Sequence, residues 1–341
     1  MRIPKSLSYS SMTLWEKNPE EFYLRYLADH AAPRLPQEPP MAVGSSFDAH
    51  VKANLYEALF GKTNPKFEFA AIFESQVEPQ CRDFALIAGR VCFDAYKLTG
   101  AYDELLALLK QSVEPPRFEF KVDGLINGVP FTGKPDCRFI LDFKQGLIDC
   151  ILDWKVHGYC SKSAASPSKG YMLCRDGYRL EPPGKQSKSH GTQHTNYMDY
   201  NHRGLTINVG YMEYCNDEYA DQLCLYGWLL GEKPGDENVV SMIEEIVAKP
   251  APPAKEGDPK PVPLLRVANH RARIKADHQQ KLQDRVARCW EAVTSGVIFT
   301  EMTPEQNAGR RQVLDDMAVG LSAGAGPYDN WFSEVTRPSK W

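Results

Sequence analysis

The chain has 341 residues, 43% of them hydrophobic and 25% charged, with a formal net charge of −4. This composition is that of an ordinary folded protein and excludes collagen-like and largely disordered chains. The charge does not announce nucleic-acid binding, nor does it exclude it, because basic residues can be confined to one face. No apolar run is long enough to span a bilayer. The N-terminal MRIPKSLSYSSMTLWEK lacks an apolar core segment, so no secretory signal and a cytoplasmic location are expected. The nine cysteines are scattered with no C-x-x-C pair. That pattern suits reduced thiols and argues against structural zinc or an iron–sulfur cluster.

In chain order, residues 8–27 begin with a Ser-rich cap and divide at Asn18-Pro19 into two short helices. Residues 41–61 form a helix with Phe47, Val51, Leu55 and Leu59 on one stripe and His50 beside it. Gly61-Lys62-Thr63 fails as a phosphate loop, since Tyr56 stands where the first glycine belongs, so no nucleotide cofactor is expected. Residues 81–111 are helical with a break near Gly100, and 117–122 (RFEFKV) alternate as a strand. Asn127-Gly128 signals a hairpin, with 129–139 as the partner. With 147–156, an antiparallel meander of three strands is expected.

Residues 133–156, GKPDCRFILDFKQGLIDCILDWKV, are the stretch the chain is organised around. Two strands flank a turn near Gln145-Gly146. Alternation puts Asp153 and Lys155 on one face and Trp154 on the other. In register, Asp136 on the neighbouring strand reaches the same spot. The second strand is largely apolar, through Ile151, Leu152, Trp154 and Val156, and charges buried there require a partner or a metal. Two carboxylates and an ammonium so placed suit a hard divalent cation with an anionic substrate alongside.

Residues 157–216 form a long insertion, rich in Ser and Gly, with basic residues interleaved with Tyr159, Tyr171, Tyr178, Tyr197 and Tyr200. Such a mixture suits single-stranded nucleic acid, and equally suits a surface insertion. His190, His194 and His202 are read as solvated. Residues 217–231 form a helix placing Gln222 and Tyr226 four apart on one face. Strands follow at 239–248 and 264–274, joined by a linker with six prolines at 249–263, and then a helix at 276–295. Between 266 and 290, seven Lys/Arg stand against two Asp, either a phosphate-facing surface or a solvated one. A helix and a Gly/Pro-containing tail close the chain.

These motifs, in this order, resemble the PD-(D/E)XK nuclease superfamily, in its RecB-like branch with AddB and the CRISPR-associated exonucleases. The resemblance rests on SYSSMTLWEKNPEEFYLRYL, with Asn18 where cysteine is common, on GSSFDAH, GKPD and DWK, and on DQLCLYGWLL. It implies an α/β (α+β) fold: a restriction-endonuclease-like αβββαβ core with a central mixed sheet flanked by helices. One nuclease domain would span 1–341, with a helical part at 1–116, a core at 117–300 and a tail at 301–341. It further implies phosphodiester hydrolysis of DNA with Mg²⁺ or Mn²⁺ in repair, recombination or phage DNA processing. His50, Asp136, Asp153 and the Trp154 backbone carbonyl would hold the metal. Lys155 would stabilise charge or hold the attacking water. Gln222 and Tyr226 would position substrate, and Glu119 would orient Lys155 or a water. DNA, single-stranded or at duplex ends, is the implied partner, with a repair or recombination protein beside it. A site-specific or structure-specific endonuclease and a catalytically silent binding subunit are the alternatives.

Overall fold

The computed structural model describes residues 1–30, 35–143, 146–160, 199–208, 210–249 and 264–322. Tyr171, Tyr178, Tyr197, His190, His194 and most of the proline-rich linker lie outside them, as does the tail beyond 322.

Local signals fix most element ends. Ser8 caps α1 (Tyr9–Lys17) by accepting from the Ser11 backbone N–H at 3.2 Å, while Ser11 Oγ accepts from the Ser8 N–H at 2.8 Å. This reciprocal pair satisfies two otherwise orphaned donors. Asn18 then caps the short α2 (Pro19–Phe22), which runs into a π-type turn at Tyr23–Leu27. The long α3 (Pro39–Phe60) buries Phe47, Val51 and Leu55. After α4 (Phe69–Gln76), α5 (Arg82–Leu98) and α6 (Ala101–Leu109) meet at Gly100, whose φ of +83° a side chain would resist.

The strands are β1 (Arg117–Phe118), β2 (Val122–Ile126), β3 (Val129–Gly133), β4 (Cys137–Asp142) and β5 (Leu147–His157). A hairpin of β6 (Asp199–His202) and β7 (Leu205–Asn208) follows, then α7 (Met212–Cys215), α8 (Asp217–Leu229), β8 (Val239–Lys249) and β9 (Leu264–Ala272). Two helices, α9 (Ala276–Ser295) and α10 (Pro304–Ser322), finish the described chain. Five strands form a mixed sheet in the order β1-β4-β5-β8-β9, with β5 and β8 parallel and the other pairs antiparallel. Helices flank this sheet, and the αβββαβ order expected from the sequence is present, with β9 added at an edge.

The expected three-strand meander is corrected in one respect. The stretch at 129–139 is two strands, not one. β2 and β3 pair around Asn127-Gly128 as a separate hairpin, and β1 pairs with β4. The break falls at Lys134-Pro135-Asp136, where proline denies the ladder a donor. This excursion leaves Asp136 at the entrance of β4, not within a continuous strand.

Strand β5 is buried from Ile148 to Trp154 and covered on both faces. Cys150, Leu152 and Trp154 join the core beneath α3, α5 and α6. Ile151 joins Ile243 and Ala272 beneath α7 and α8. A further core gathers α1, α2, the β2–β3 hairpin, α9 and α10. Among the described residues, no helix is long and apolar enough to cross a membrane.

The approach of α3 to α5 depends on Gly89. A Cβ there would lie 2.2 Å from Ser46 Oγ and 2.8 Å from the Phe47 backbone nitrogen. Gly89→Ala is therefore expected to destabilise by about 1–3 kcal/mol, the usual cost of overpacking. Gly44→Ala, with nothing within 4 Å of the added Cβ, should be neutral or slightly stabilising. Thermal denaturation of both variants checks the pair.

Candidate active site

The β4–β5 register pairs Cys137 with Leu152, so the preceding residue, Asp136, comes opposite Asp153. The contacts confirm it. The Trp154 backbone N–H donates to Asp136 Oδ2 at 3.2 Å, and the side chains of Asp136 and Asp153 are within hydrogen-bonding reach of each other. Lys155 Nζ lies 2.5 Å from Asp153 Oδ2 and donates to Gln222 Oε1 at 2.7 Å. Gln222 Nε2 in turn donates to the Tyr226 hydroxyl at 2.9 Å, with Asp153 Oδ1 at 3.5 Å. Five of the residues singled out in the sequence therefore meet in one place. Asn216 aims the helix that brings two of them, accepting from the Glu218 and Tyr219 N–H groups at its start. Gly133 lets that helix sit close, since a Cβ there would lie 2.8 Å from the Tyr226 ring.

Glu119 also belongs to the cluster. It follows β1 with φ of +50°, a conformation uncommon for a non-glycine residue, and its N–H donates to the Asp136 carbonyl at 3.1 Å. Its carboxylate is paired with Lys52 and Lys134. Strained backbone held by surrounding structure gathers at functional sites.

The sequence reading missed Lys52 and Asp48, both on α3. Lys52 is fully buried, and its Nζ donates to Asp48 Oδ2 at 2.7 Å, to Asp136 Oδ1 at 2.8 Å and to Glu119. Gln76 of α4 adds a hydrogen bond to Asp48 Oδ2 at 3.0 Å. The i,i+4 spacing of Asp48 and Lys52 was the available signal.

Among the described residues, no hydrogen bond or ion pair joins His50 to the acids. Two residues on a helix are separated by about 200° around its axis, so His50 and Lys52 face opposite ways. The His50 ring stacks on Phe69, with centroids 4.2 Å apart, and on Phe93 at 5.5 Å. Its Nε2 has no hydrogen-bond partner.

Electrostatics follow from crowding charge in a covered place. Burial, with the Asp136 carboxylate alongside, pushes Asp153 up to about 7 against the pull of Lys155. Burial likewise raises Asp48 to about 7 despite Lys52. Burial opposes charge on Asp136 too, but Lys52, Lys155 and the Trp154 N–H together hold it below the ordinary carboxylate value. Behind β5, Trp154 Nε1 donates to Glu244 at 3.0 Å, and the Tyr96 hydroxyl bonds the same carboxylate. Beyond Lys155 on its own face, His157 Nε2 meets the Tyr219 hydroxyl at 3.1 Å, and His270 Nε2 meets Glu245 at 3.0 Å.

The donor set suits a hard cation. Among the described residues, ligand atoms of Asp48, Glu119 and Asp136 lie within 4.8 Å of one another. Asp153 Oδ2 and Asp48 Oδ1 are buried, and each faces a lysine ammonium, at 2.5 and 2.7 Å. Oxygens of this kind suit Mg²⁺ or Mn²⁺.

No family model matches the sequence, and no curated protein matches it. Among solved structures, the shutoff and exonuclease protein from Kaposi's sarcoma-associated herpesvirus is similar with a TM-score of 0.30 and 11% identity, covering 85% of this chain and 91% of that one. The protein SSO0001 is similar with a TM-score of 0.23 and 10% identity, covering 86% and 94%. Neither likeness bears on the site, which rests on its own geometry.

Part of the basic run at 266–290 is committed to pairs. Arg271 bonds Glu104, Arg273 lies near Glu237, and Arg285 bridges Glu16 and Asp221. Lys275 lies over the rings of Tyr211 and Tyr214. Four of its seven basic side chains thus tie elements together.

His50 gives a pH-dependent prediction. Burial, aided by the Arg90 charge and opposed by Asp94, pushes it down to about 4 from an ordinary 6.5. The folded chain keeps it neutral where the unfolded chain protonates. Its contribution is complete above pH 6.5 and is lost as pH falls toward 4. His50→Phe should therefore gain on wild type by about 2 kcal/mol between pH 7 and pH 4.5 in urea denaturation. Its Mn²⁺ affinity at pH 7 should equal that of wild type.

Proposed function

We propose that this chain is a cation-dependent nuclease that hydrolyses phosphodiester bonds in DNA, a RecB-like exonuclease of the PD-(D/E)XK type. The observation that carries the reading is the convergence of Asp136, Asp153 and Lys155 at one end of the sheet, with Gln222 and Tyr226 locked onto them. The ordered motifs around these residues support the same reading.

Asp136 and Asp153 would hold the cation, with Glu119 beside them. A divalent ion bound there supplies Lewis-acid polarisation of a phosphoryl oxygen and a nucleophile at neutral pH. Lys155 stands with its ammonium on the same side as the carboxylates, where it stabilises negative charge growing on the phosphorus oxygens. Gln222 keeps that ammonium aimed, since its amide oxygen accepts from Lys155 while its amide nitrogen is fixed by Tyr226. Tyr226 is mostly buried, so its hydroxyl acts as an anchor for Gln222 and not as a mobile acid. Trp154, pinned from behind by Glu244, sets the alternation that points both neighbours into the site.

The reading is tested by incubating the protein with linear, circular and single-stranded DNA in Mg²⁺ and in Mn²⁺. Linear DNA should be degraded and closed circular duplex spared. Asp153→Asn and Lys155→Ala should each lower the rate by about 100-fold or more, the scale of losing a charge-stabilising group. Gln222→Ala should lower it by roughly 10- to 100-fold, the scale of losing a group that orients another. A wild-type protein inert on every substrate would sink the reading. Full activity in both Asp153→Asn and Lys155→Ala would remove these residues from the site.

A further inference from the structure

We propose that Lys52 is the resident cation of one half of the acid cluster, so that the site takes a single divalent ion, at the Asp136–Asp153 end, instead of a pair. The inference deepens the nuclease reading and rests on it in assuming that a divalent ion binds at all.

Lysine carries three donors and no acceptor. Lys52 places all three on carboxylates, namely Asp48, Asp136 and Glu119. These are the three residues whose ligand atoms lie close enough together to chelate an ion. A pair of catalytic ions would stand about 3.5–4 Å apart, and the second would then fall where the ammonium already is. The ammonium is not free to leave. Lys52 is fully buried on α3, one turn from Asp48, and its Nζ lies 6.0 Å from the centre of the Trp154 ring. Withdrawing it would take from Asp48 its ion-pair partner and from Asp136 and Glu119 one of theirs, in a covered place.

The other end of the cluster differs. Asp153 faces one ammonium, that of Lys155, which lies 2.5 Å from its buried Oδ2, and the Lys155 side chain is 24% exposed where that of Lys52 is 1%. A first ion can complete this oxygen together with Asp136. It meets no ammonium competing for three acceptors, as an ion at the Lys52 end would.

The experiment titrates metal-free protein with Mn²⁺ by calorimetry and records the electron paramagnetic resonance of the bound ion. No DNA is present. Wild type should bind one ion per chain, with the spectrum of an isolated Mn²⁺. Lys52→Gln, which removes the ammonium shared by the three acids, should bind two ions with the spectrum of a coupled pair. Lys52→Arg should stay at one. Two ions in wild type overturn the proposal and leave the nuclease reading standing. No ion in wild type removes both. A folded Lys52→Gln that still binds one ion also overturns the proposal. If Lys52→Gln unfolds without metal, Mn²⁺ should restore its circular dichroism and raise its Tm more than that of wild type; failure to do so counts against the proposal equally.

Discussion

Four carboxylates, those of Asp48, Glu119, Asp136 and Asp153, meet at one end of a covered sheet, and their mutual repulsion is the constraint the surrounding structure answers. Three elements deliver positive charge to them: α3 through Lys52, the β3–β4 break through Lys134, and β5 through Lys155. An unpaired buried charge is strongly destabilising, whereas a paired and hydrogen-bonded one is tolerated. The position of α3 is therefore an electrostatic requirement as well as a packing one. Gly89 permits that position, since a side chain on α5 at that point would clash with Ser46 and Phe47 of α3, the helix that carries Lys52.

The second requirement is that charged and apolar residues alternate on a strand buried from both sides. On β5, Ile151 packs beneath α8, while Asp153 and Lys155 continue the same face as a polar extension completed by Gln222 and Tyr226. Leu152 and Trp154 belong to the core beneath α3 and α5. Trp154 carries a polar handle into that core and finds Glu244, with Tyr96 on the same carboxylate. Burial raises Glu244 to about 7, even though Tyr96, Arg271 and Trp154 all favour its charge. Each side of the strand thus has its own hydrogen-bonded network, and a register slip of one residue would set both against apolar surroundings.

Features coded locally were legible in the sequence. The Asp-x-Lys alternation, the turn at Asn127-Gly128, the break at Gly100 and the four-residue spacing of Gln222 and Tyr226 all follow from neighbouring residues, and the structure contains them. What was not legible depends on partners distant in sequence. The β2–β3 excursion follows from which strand β1 pairs with, although Pro135 marked the break. On α3, helical phase allowed either His50 or Lys52 to face the sheet. The aromatic rings that claim His50, Phe69 and Phe93, come from two other helices. A buried lysine is a poor expectation until its three carboxylates, drawn from three separate segments, are in view. The arginines at 266–290 read as a basic face because Glu16, Glu104 and Asp221 lie far away along the chain.

That last point bears on how a polyanion would be attracted. Three arginines of the basic run are spent on internal pairs, and the chain as a whole is acidic. With every group ionised, the four carboxylates and three ammoniums of the site leave a formal charge of −1. A phosphodiester would be repelled. One divalent ion reverses the sign to +1, and the low dielectric of a covered site makes that reversal count for more than it would at the surface. Substrate attraction and catalytic competence would then arrive together, with the same ion. Without Lys52, one ion would leave the site neutral and a second would be needed to reach a positive charge. Under the nuclease reading proposed above, the buried ammonium would matter to substrate binding as much as to folding, because it would set how many metal charges the site needs before it attracts a phosphate.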